Sequence, residues 1–154
     1  MLKKVDVLLI TLTSPILIGI YENRKLVKSI ESDEKSSDVL PLLFQEILDS
    51  YKIENLFYAN GPGSFMAIKI AYIFLKSLSI LKKIPLFATD AFYFNNNEPI
   101  KAIGKLHFVK VASEIKTQKL ETVPASLFRL PDVLDYSEFS TTSTPLYMIG
   151  AVGQ

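Results

Sequence analysis

One stretch constrains this chain more than any other: Ala59–Leu81, where Ala-Asn-Gly-Pro-Gly-Ser-Phe leads into Met66-Ala-Ile-Lys-Ile-Ala-Tyr-Ile-Phe-Leu-Lys-Ser-Leu-Ser-Ile-Leu81. Gly61, Pro62, Gly63 and Ser64 form an elbow, in which the two glycines permit backbone conformations that a side chain would forbid. Ser64 is placed to cap the helix that follows, its hydroxyl accepting an amide of the first turn. From Phe65 onward there is neither Gly nor Pro for about five turns, which predicts one helix of roughly 25 Å. Lys69, Lys76 and Lys83 recur at a spacing of seven, with Tyr72 and Ser79 between them, and predict a single narrow wet stripe. Nearly everything else on the helix is apolar. A helix outside a sheet needs one buried stripe about 100° wide; the surplus here asks for a second partner.

The preceding chain reads as strands and one more helix. Val5–Thr11 is a continuous apolar run, the pattern of a strand covered on both faces. Ile16–Tyr21 and Lys25–Ile30 follow, joined at Glu22-Asn23-Arg24, and the three runs predict a meander. A solvated loop, Glu31–Ser37, leads into a helix over Ser37–Tyr51, with Ser37 as cap and Pro41 in the first turn, where a missing amide costs nothing. This helix is also widely apolar. Asn55–Ala59 and Ile84–Ala88 predict two further strands flanking the elbow and its helix, and Thr89-Asp90 caps a short turn through Phe94. The order β-β-β-α-β-α-β-α predicts a mixed sheet with helices on both faces. We place a first domain at residues 1–97. Residues 98–154 form a small, irregular second subdomain, with a strand at Lys105–Ser113, a helical turn near Asp132–Tyr136 and a last strand at Pro145–Val152.

Composition narrows the function. The 154 residues suffice for one core plus an appendage, and the formal charge of +1 lacks the basic excess of a stand-alone nucleic-acid binder. No cysteine is present, which excludes disulfides, thiolate nucleophiles and zinc-finger spacings, and one histidine, His107, is too few for a histidine metal site. The basic, apolar N-terminus reads as a first strand because Asp6 interrupts the run. Lys69 and Lys76 argue against a membrane span at Phe65–Leu81. The expected location is the cytoplasm, with no membrane partner.

Thr13-Ser-Pro15, Ser37-Asp-Val-Leu-Pro41, Asn60-Gly-Pro-Gly-Ser-Phe-Met-Ala-Ile-Lys-Ile-Ala71 and Ile84-Pro-Leu-Phe-Ala-Thr89, in that order, resemble the TsaB (YeaZ) family over roughly residues 5–95. The family's own pattern is Asp-Thr-Ser-Thr-Pro, a helix resembling His-Ser-Glu-x-Leu-Leu-Pro-x-Ile, and Gly-x-Gly-Pro-Gly-Ser-Phe-Thr-Gly-Leu-Arg-Ile-Gly. The chain departs from it at Thr11 (family aspartate), Lys69 (arginine), Ala67 and Ala71 (glycines) and Met66 (threonine). Lysine lacks the planar fork that arginine offers an anion.

The resemblance implies an actin-like ATPase-superfamily fold with an RNase H-like first domain. It also implies a non-catalytic role in making threonylcarbamoyladenosine in tRNA. The chain would pair with the catalytic subunit TsaD, and with the ATPase TsaE in a larger assembly, touching tRNA only through the complex. ATP or ADP and Mg are then expected in the partner subunits and no cofactor in this chain alone. A homodimer is possible in isolation.

Other readings of the same residues stand beside this one. The elbow is either a phosphate cradle at a helix N-terminus or a tight structural turn; it lacks the Lys-Ser/Thr end of a Walker loop. Ser79-x-x-Lys82 and Ser113-x-x-Lys116 have a Ser-Lys spacing without its companion motifs. The surplus apolar helix faces are either covered by the tail or form an interface. For the interface we expect Leu40, Leu43, Phe44 and Ile47 on the first helix, with Met66, Ile70, Ile73 and Phe74 on the second. The alternative is a stand-alone actin-like ATPase or phosphotransferase, which Thr11 and the short tail disfavour.

Overall fold

The structure of the protein, a computed structural model, describes residues 1–122 and 127–146. Strands β1 (Lys3–Ile10), β2 (Ile16–Glu22) and β3 (Lys25–Ser32) form the expected meander. Helix α1 (Ser36–Ser50), β4 (Tyr51–Ala59), α2 (Phe65–Lys82) and β5 (Leu86–Thr89) follow. The five strands make one mixed sheet in the order β3-β2-β1-β4-β5. Strand β2 runs antiparallel to β1 and β3, while β4 is parallel to β1 and β5.

Helix α1 begins one residue earlier than the sequence predicts. Its cap is Lys35, which makes no side-chain hydrogen bond, so Ser37 is not the cap and Pro41 lies inside the helix on its exposed side. Strand β4 starts directly after α1, four residues before the expected Asn55.

The expectation of helices on both faces is corrected. Val5, Val7 and Leu9 of β1 and Ile16, Ile18 and Ile20 of β2 share one core with Val39, Leu40, Phe44 and Ile47 of α1 and Ala71 and Leu75 of α2. Both helices therefore cover the same face. The cause is topological: β3→α1→β4 and β4→α2→β5 step across the sheet in the same direction, and crossovers of one hand then lie on one side.

The opposite face, carrying Leu8, Ile10, Leu17, Tyr21, Phe57 and Ala59, is closed by irregular chain: Phe94 and Leu134 are buried against it, with Phe128, Leu130 and Phe139 half-buried. The described residues after 97 thus divide. Strands β6 (Ile100–Lys101), β7 (Leu106–Val111) and β8 (Glu114–Lys119) make a small antiparallel sheet, seated on Ala91 and Phe92 through Ile100 and Phe108. Residues 127–146 return to the main sheet. Val133 bridges to Lys25 at one edge and Ser140 bridges to Ala88 at the other. Between those two bridges the chain runs over the sheet from the β3 edge to the β5 edge. This strap therefore crosses the whole sheet and covers parts of both edges, which would otherwise be open to pairing.

The strap's helical turn forms at Tyr136–Glu138, with Asp135 accepting the Ser137 amide. Of the expected last strand, Pro145 and Leu146 are described, and 147–152 lie outside the described residues.

Candidate functional site

The outer side of the two-helix layer is built by a simple periodic conflict. Around α2, Ile68, Ala71 and Leu75 face the sheet and are buried. The sequence nevertheless places apolar residues on the far side too, at 66, 73 and 80, where Met66 is 59% exposed, Ile73 53% and Ile80 66%. Between the helices lies a groove of about 330 Å³, walled by Pro41, Ile70, Ile73, Phe74 and Ser77 and floored by Leu40. Phe74 closes its inner side by packing edge-on against Phe44, ring centroids 5.1 Å apart.

The residues expected at an interface divide accordingly. Met66 and Ile73 are exposed, while Ile70, Phe74 and Leu43 are half-buried at the layer's surface. Leu40, Phe44 and Ile47 are corrected to core positions, being 0, 1 and 2% exposed. At a period of 3.6 they fall on the face of α1 turned to the sheet, so a partner cannot touch Phe44 or Ile47 without opening the core. Ile80, with Leu42 and Leu81, is the exposed apolar surface that the sequence reading left out. The seven-residue step from Met66 through Ile73 was the available signal.

Lys69, Lys76 and Lys83 are exposed as expected. Tyr72 and Ser79 are corrected: both are half-buried. Tyr72 lies over Tyr58, and the Ser79 hydroxyl donates to the Ile84 carbonyl at the helix end.

Gly61, Pro62 and Gly63 of the elbow are buried against their own chain, while Ser64 is exposed. Gly61 takes φ +116°, and a Cβ there would lie 2.8 Å from the Leu146 carbonyl oxygen. Gly63 lies against Leu12, which a Cβ would approach to 3.1 Å. The Gly61 carbonyl accepts from Ala91 N at 2.8 Å, and the neighbouring Asn60 carbonyl accepts from Leu146 N at 2.7 Å. Pro62 is buried. The Ser64 hydroxyl accepts the Ala67 amide and so caps α2 as expected. Thr11, in the position of the family's aspartate, is buried and donates to the Ala67 carbonyl at 3.1 Å. It therefore ties the end of β1 to the first turn of α2.

A polar cluster pins the strap. The carboxylate of Asp6, buried inside β1, accepts from Asn55 Nδ2 at 2.8 Å and from the Tyr136 hydroxyl. Burial, then the hydrogen bond to Asp6, pushes the Tyr136 phenol up to about 12. Arg24 lies 4.3 Å from the Tyr136 ring centre, in cation–π geometry. Nearby, Tyr21 donates to the Pro131 carbonyl at 2.7 Å.

His107 is buried, with Nδ1 2.8 Å from the Lys105 carbonyl. Ser113 occupies the exposed β7–β8 turn, and Lys116 Nζ lies 3.8 Å from Glu114. Among the described residues, no three His, Cys, Asp or Glu side chains gather where a metal could bind. No helix among them is long and apolar enough to cross a membrane.

No protein-family model and no curated protein matches the chain. Solved structures do. An uncharacterised protein with similarity to peptidase YeaZ, from Pseudomonas aeruginosa, aligns with a TM-score of 0.56 at 16% identity, covering 79% of this chain and 66% of that one. YeaZ from Pseudomonas aeruginosa aligns with a TM-score of 0.54 at 16% identity, covering 78% of this chain and 66% of that one. The chain therefore has the α/β fold of the YeaZ structures and spans 66% of their length.

Proposed function

We propose that this chain is a TsaB/YeaZ-like, non-catalytic subunit of the machinery that makes threonylcarbamoyladenosine in tRNA, and that it docks on a TsaD-like subunit through the outer side of α1 and α2. The carrying observation is the uneven cover of the main sheet. The strap closes one face, while the layer on the other keeps an open groove and exposed Met66, Ile73 and Ile80. An apolar surface of this kind is where a protein partner gains most. On this reading the main sheet, with its order β3-β2-β1-β4-β5, is the RNase H-like part of an actin-like fold. Nucleotide and Mg belong to the partner subunits, and the complex works in the cytoplasm. The elbow acts as a hinge that aims α2, because its glycines and the Asn60 and Gly61 carbonyls are engaged by the chain itself.

The test is light scattering on the purified chain mixed with the TsaD-like subunit of the same cell. A one-to-one complex that Ile73→Glu abolishes, with an unchanged Tm, is the expected result. If no complex forms, or if it forms equally with Ile73→Glu, the proposal fails.

A further inference from the structure

We infer that the open part of the β3 edge, with the cavity beside it under α1, is a groove for an extended segment of another protein that carries an arginine. This surface is separate from the groove between α1 and α2.

An edge strand takes a further strand only where its backbone groups point outward. Successive residues of β2 face its two neighbours in alternation. Glu22 faces Lys25 across the turn Asn23-Arg24, so Ile20, Ile18 and Ile16 also face β3, and their partners Lys28, Ile30 and Ser32 bond inward. Ser29 and Glu31, opposite Gly19 and Leu17, therefore turn their amides and carbonyls outward. The protein itself shows that this edge accepts a strand. The Leu26 amide donates to the Asp132 carbonyl at 2.9 Å, and the Leu134 amide donates to the Arg24 carbonyl at 2.8 Å. Beyond Leu26 the strap leaves the edge. Among the described residues nothing outside the sheet bonds to the backbone of Ser29 or Glu31, and both residues are exposed.

A strand paired with Ser29 and Glu31 places its intervening residue opposite Ile30, with the side chain on the same side as that of Ile30. That is the α1 side, where Ile30 packs on the helix-face core. A cavity of about 370 Å³ opens there, lined by Ile20, Ile30 and Ile47 within and by exposed Lys28, Glu46 and Asp49 at the rim. Glu46 and Asp49, three apart, share one face of α1. Among the described residues no cation lies within ion-pair distance of either, and Asp49 accepts from the neutral Gln45 amide at 3.0 Å. Lys28 offsets one of the two charges, so the rim stays negative. An arginine fits this site: its methylenes lie on the isoleucines and its planar fork reaches both carboxylates.

The chain does not supply that segment. Residues 123–126 and 147–154 contain neither Lys nor Arg. A second copy set antiparallel across a two-fold axis, Ser29 on Glu31, puts Ile30 opposite Ile30 and brings no cation. Shifted to set Ser29 on Ser29, it brings Lys28 opposite Ile30, but Glu31 then meets the bulge at Val27 and the second bonded pair is lost.

The test titrates the whole protein, by fluorescence anisotropy, against short dye-labelled Thr/Val peptides with a central Arg or a central Glu. The Arg peptide should bind about tenfold more tightly. N-methylation of the two residues flanking the Arg removes the donors to the Ser29 and Glu31 carbonyls and should abolish binding without altering the protein. Ser29→Pro should do the same, because the amide it loses points outward and the pairing with β2 is kept. Glu46→Gln/Asp49→Asn should weaken the Arg peptide by about tenfold, and Lys28→Ser should tighten it. Equal affinity for the Arg and Glu peptides, binding that survives N-methylation, an unchanged affinity in Glu46→Gln/Asp49→Asn, or no binding of the Arg peptide up to about 1 mM would overturn the inference. So would a dimer of the protein that Ser29→Pro dissolves. Ile73→Glu should leave peptide binding unchanged, so this groove and the helix-layer docking are tested apart.

Discussion

The helix face and the strap face of the main sheet bury similar sets of aliphatic and aromatic strand residues, yet they are closed by different physics. On the helix face Leu40, Phe44, Ile47, Ala71 and Leu75 fill the space by periodic packing, and the layer that supplies them remains apolar on its far side. On the strap face one pass of irregular chain does the covering. It is held by Leu134 in the core, by backbone bridges at both edges and by the hydroxyls of Tyr21 and Tyr136. Irregular chain must place each polar backbone group individually, and a helix satisfies its own. A helix can therefore present a second face to a partner at no cost in hydrogen bonding, while the strap has none to spare.

The sharpest way to break this comparison is at Phe44. Phe44→Ala should cost about 3–5 kcal/mol in denaturant unfolding, as a core aromatic does; a loss below about 1 kcal/mol would return Phe44 to the surface and undo the division between inner and outer helix residues. On the strap, Leu134→Ala should cost about 2–5 kcal/mol, and it should raise hydrogen exchange at the Leu26 and Ala88 amides, which bond Asp132 O and Ser140 O. Were the strap an ornament, neither would change.

Tyr136→Phe comes next, at about 1.5–3 kcal/mol for one hydrogen bond to a carboxylate. Its pH dependence is more telling. The folded phenol is raised from 10.0 to about 12, so its contribution is complete below about pH 10 and is lost as pH climbs through the folded value. The alkaline fall in wild-type stability should therefore be shallower in Tyr136→Phe, and identical curves would remove Tyr136 from the strap's hold. Smallest of all, Ile73→Glu should move stability by no more than about 0.5 kcal/mol, because the side chain is already half in water.

Much of this was legible in the residues, and the misses have physical causes. Apolar runs and turn residues located β1 to β5 and both long helices, and Ser64 announced the start of α2 by capping chemistry alone. Placing both helices on one face required the strand order, which no local pattern contains. Apolar excess identified the helical layer as unusual, but composition cannot say which side of α1 meets the sheet, so Leu40, Phe44 and Ile47 were assigned outward. Strand β8 went unseen because Glu114-Ile-Lys-Thr-Gln-Lys119 is polar and its hairpin turn uses Ala112, at φ +57°, where Gly or Asn would have signalled it. The strap is a tertiary feature: Pro131, Val133 and Tyr136 acquire their meaning only from strands more than a hundred residues earlier in the chain.

The central claim is that the far side of α2 is covered by a partner and the strap side is not. The chain has no cysteine, so a single thiol can report each surface without background. Labelling rates should be compared for Ile73→Cys and for Glu138→Cys, exposed on the strap, with the chain alone and with the TsaD-like subunit in excess. The account predicts that both thiols react freely in the isolated chain, and that the subunit slows Ile73→Cys by about tenfold or more, as a site nine-tenths occupied requires, while leaving Glu138→Cys unchanged. Equal labelling of Ile73→Cys with and without the subunit, under conditions where the complex is seen to form, would contradict it.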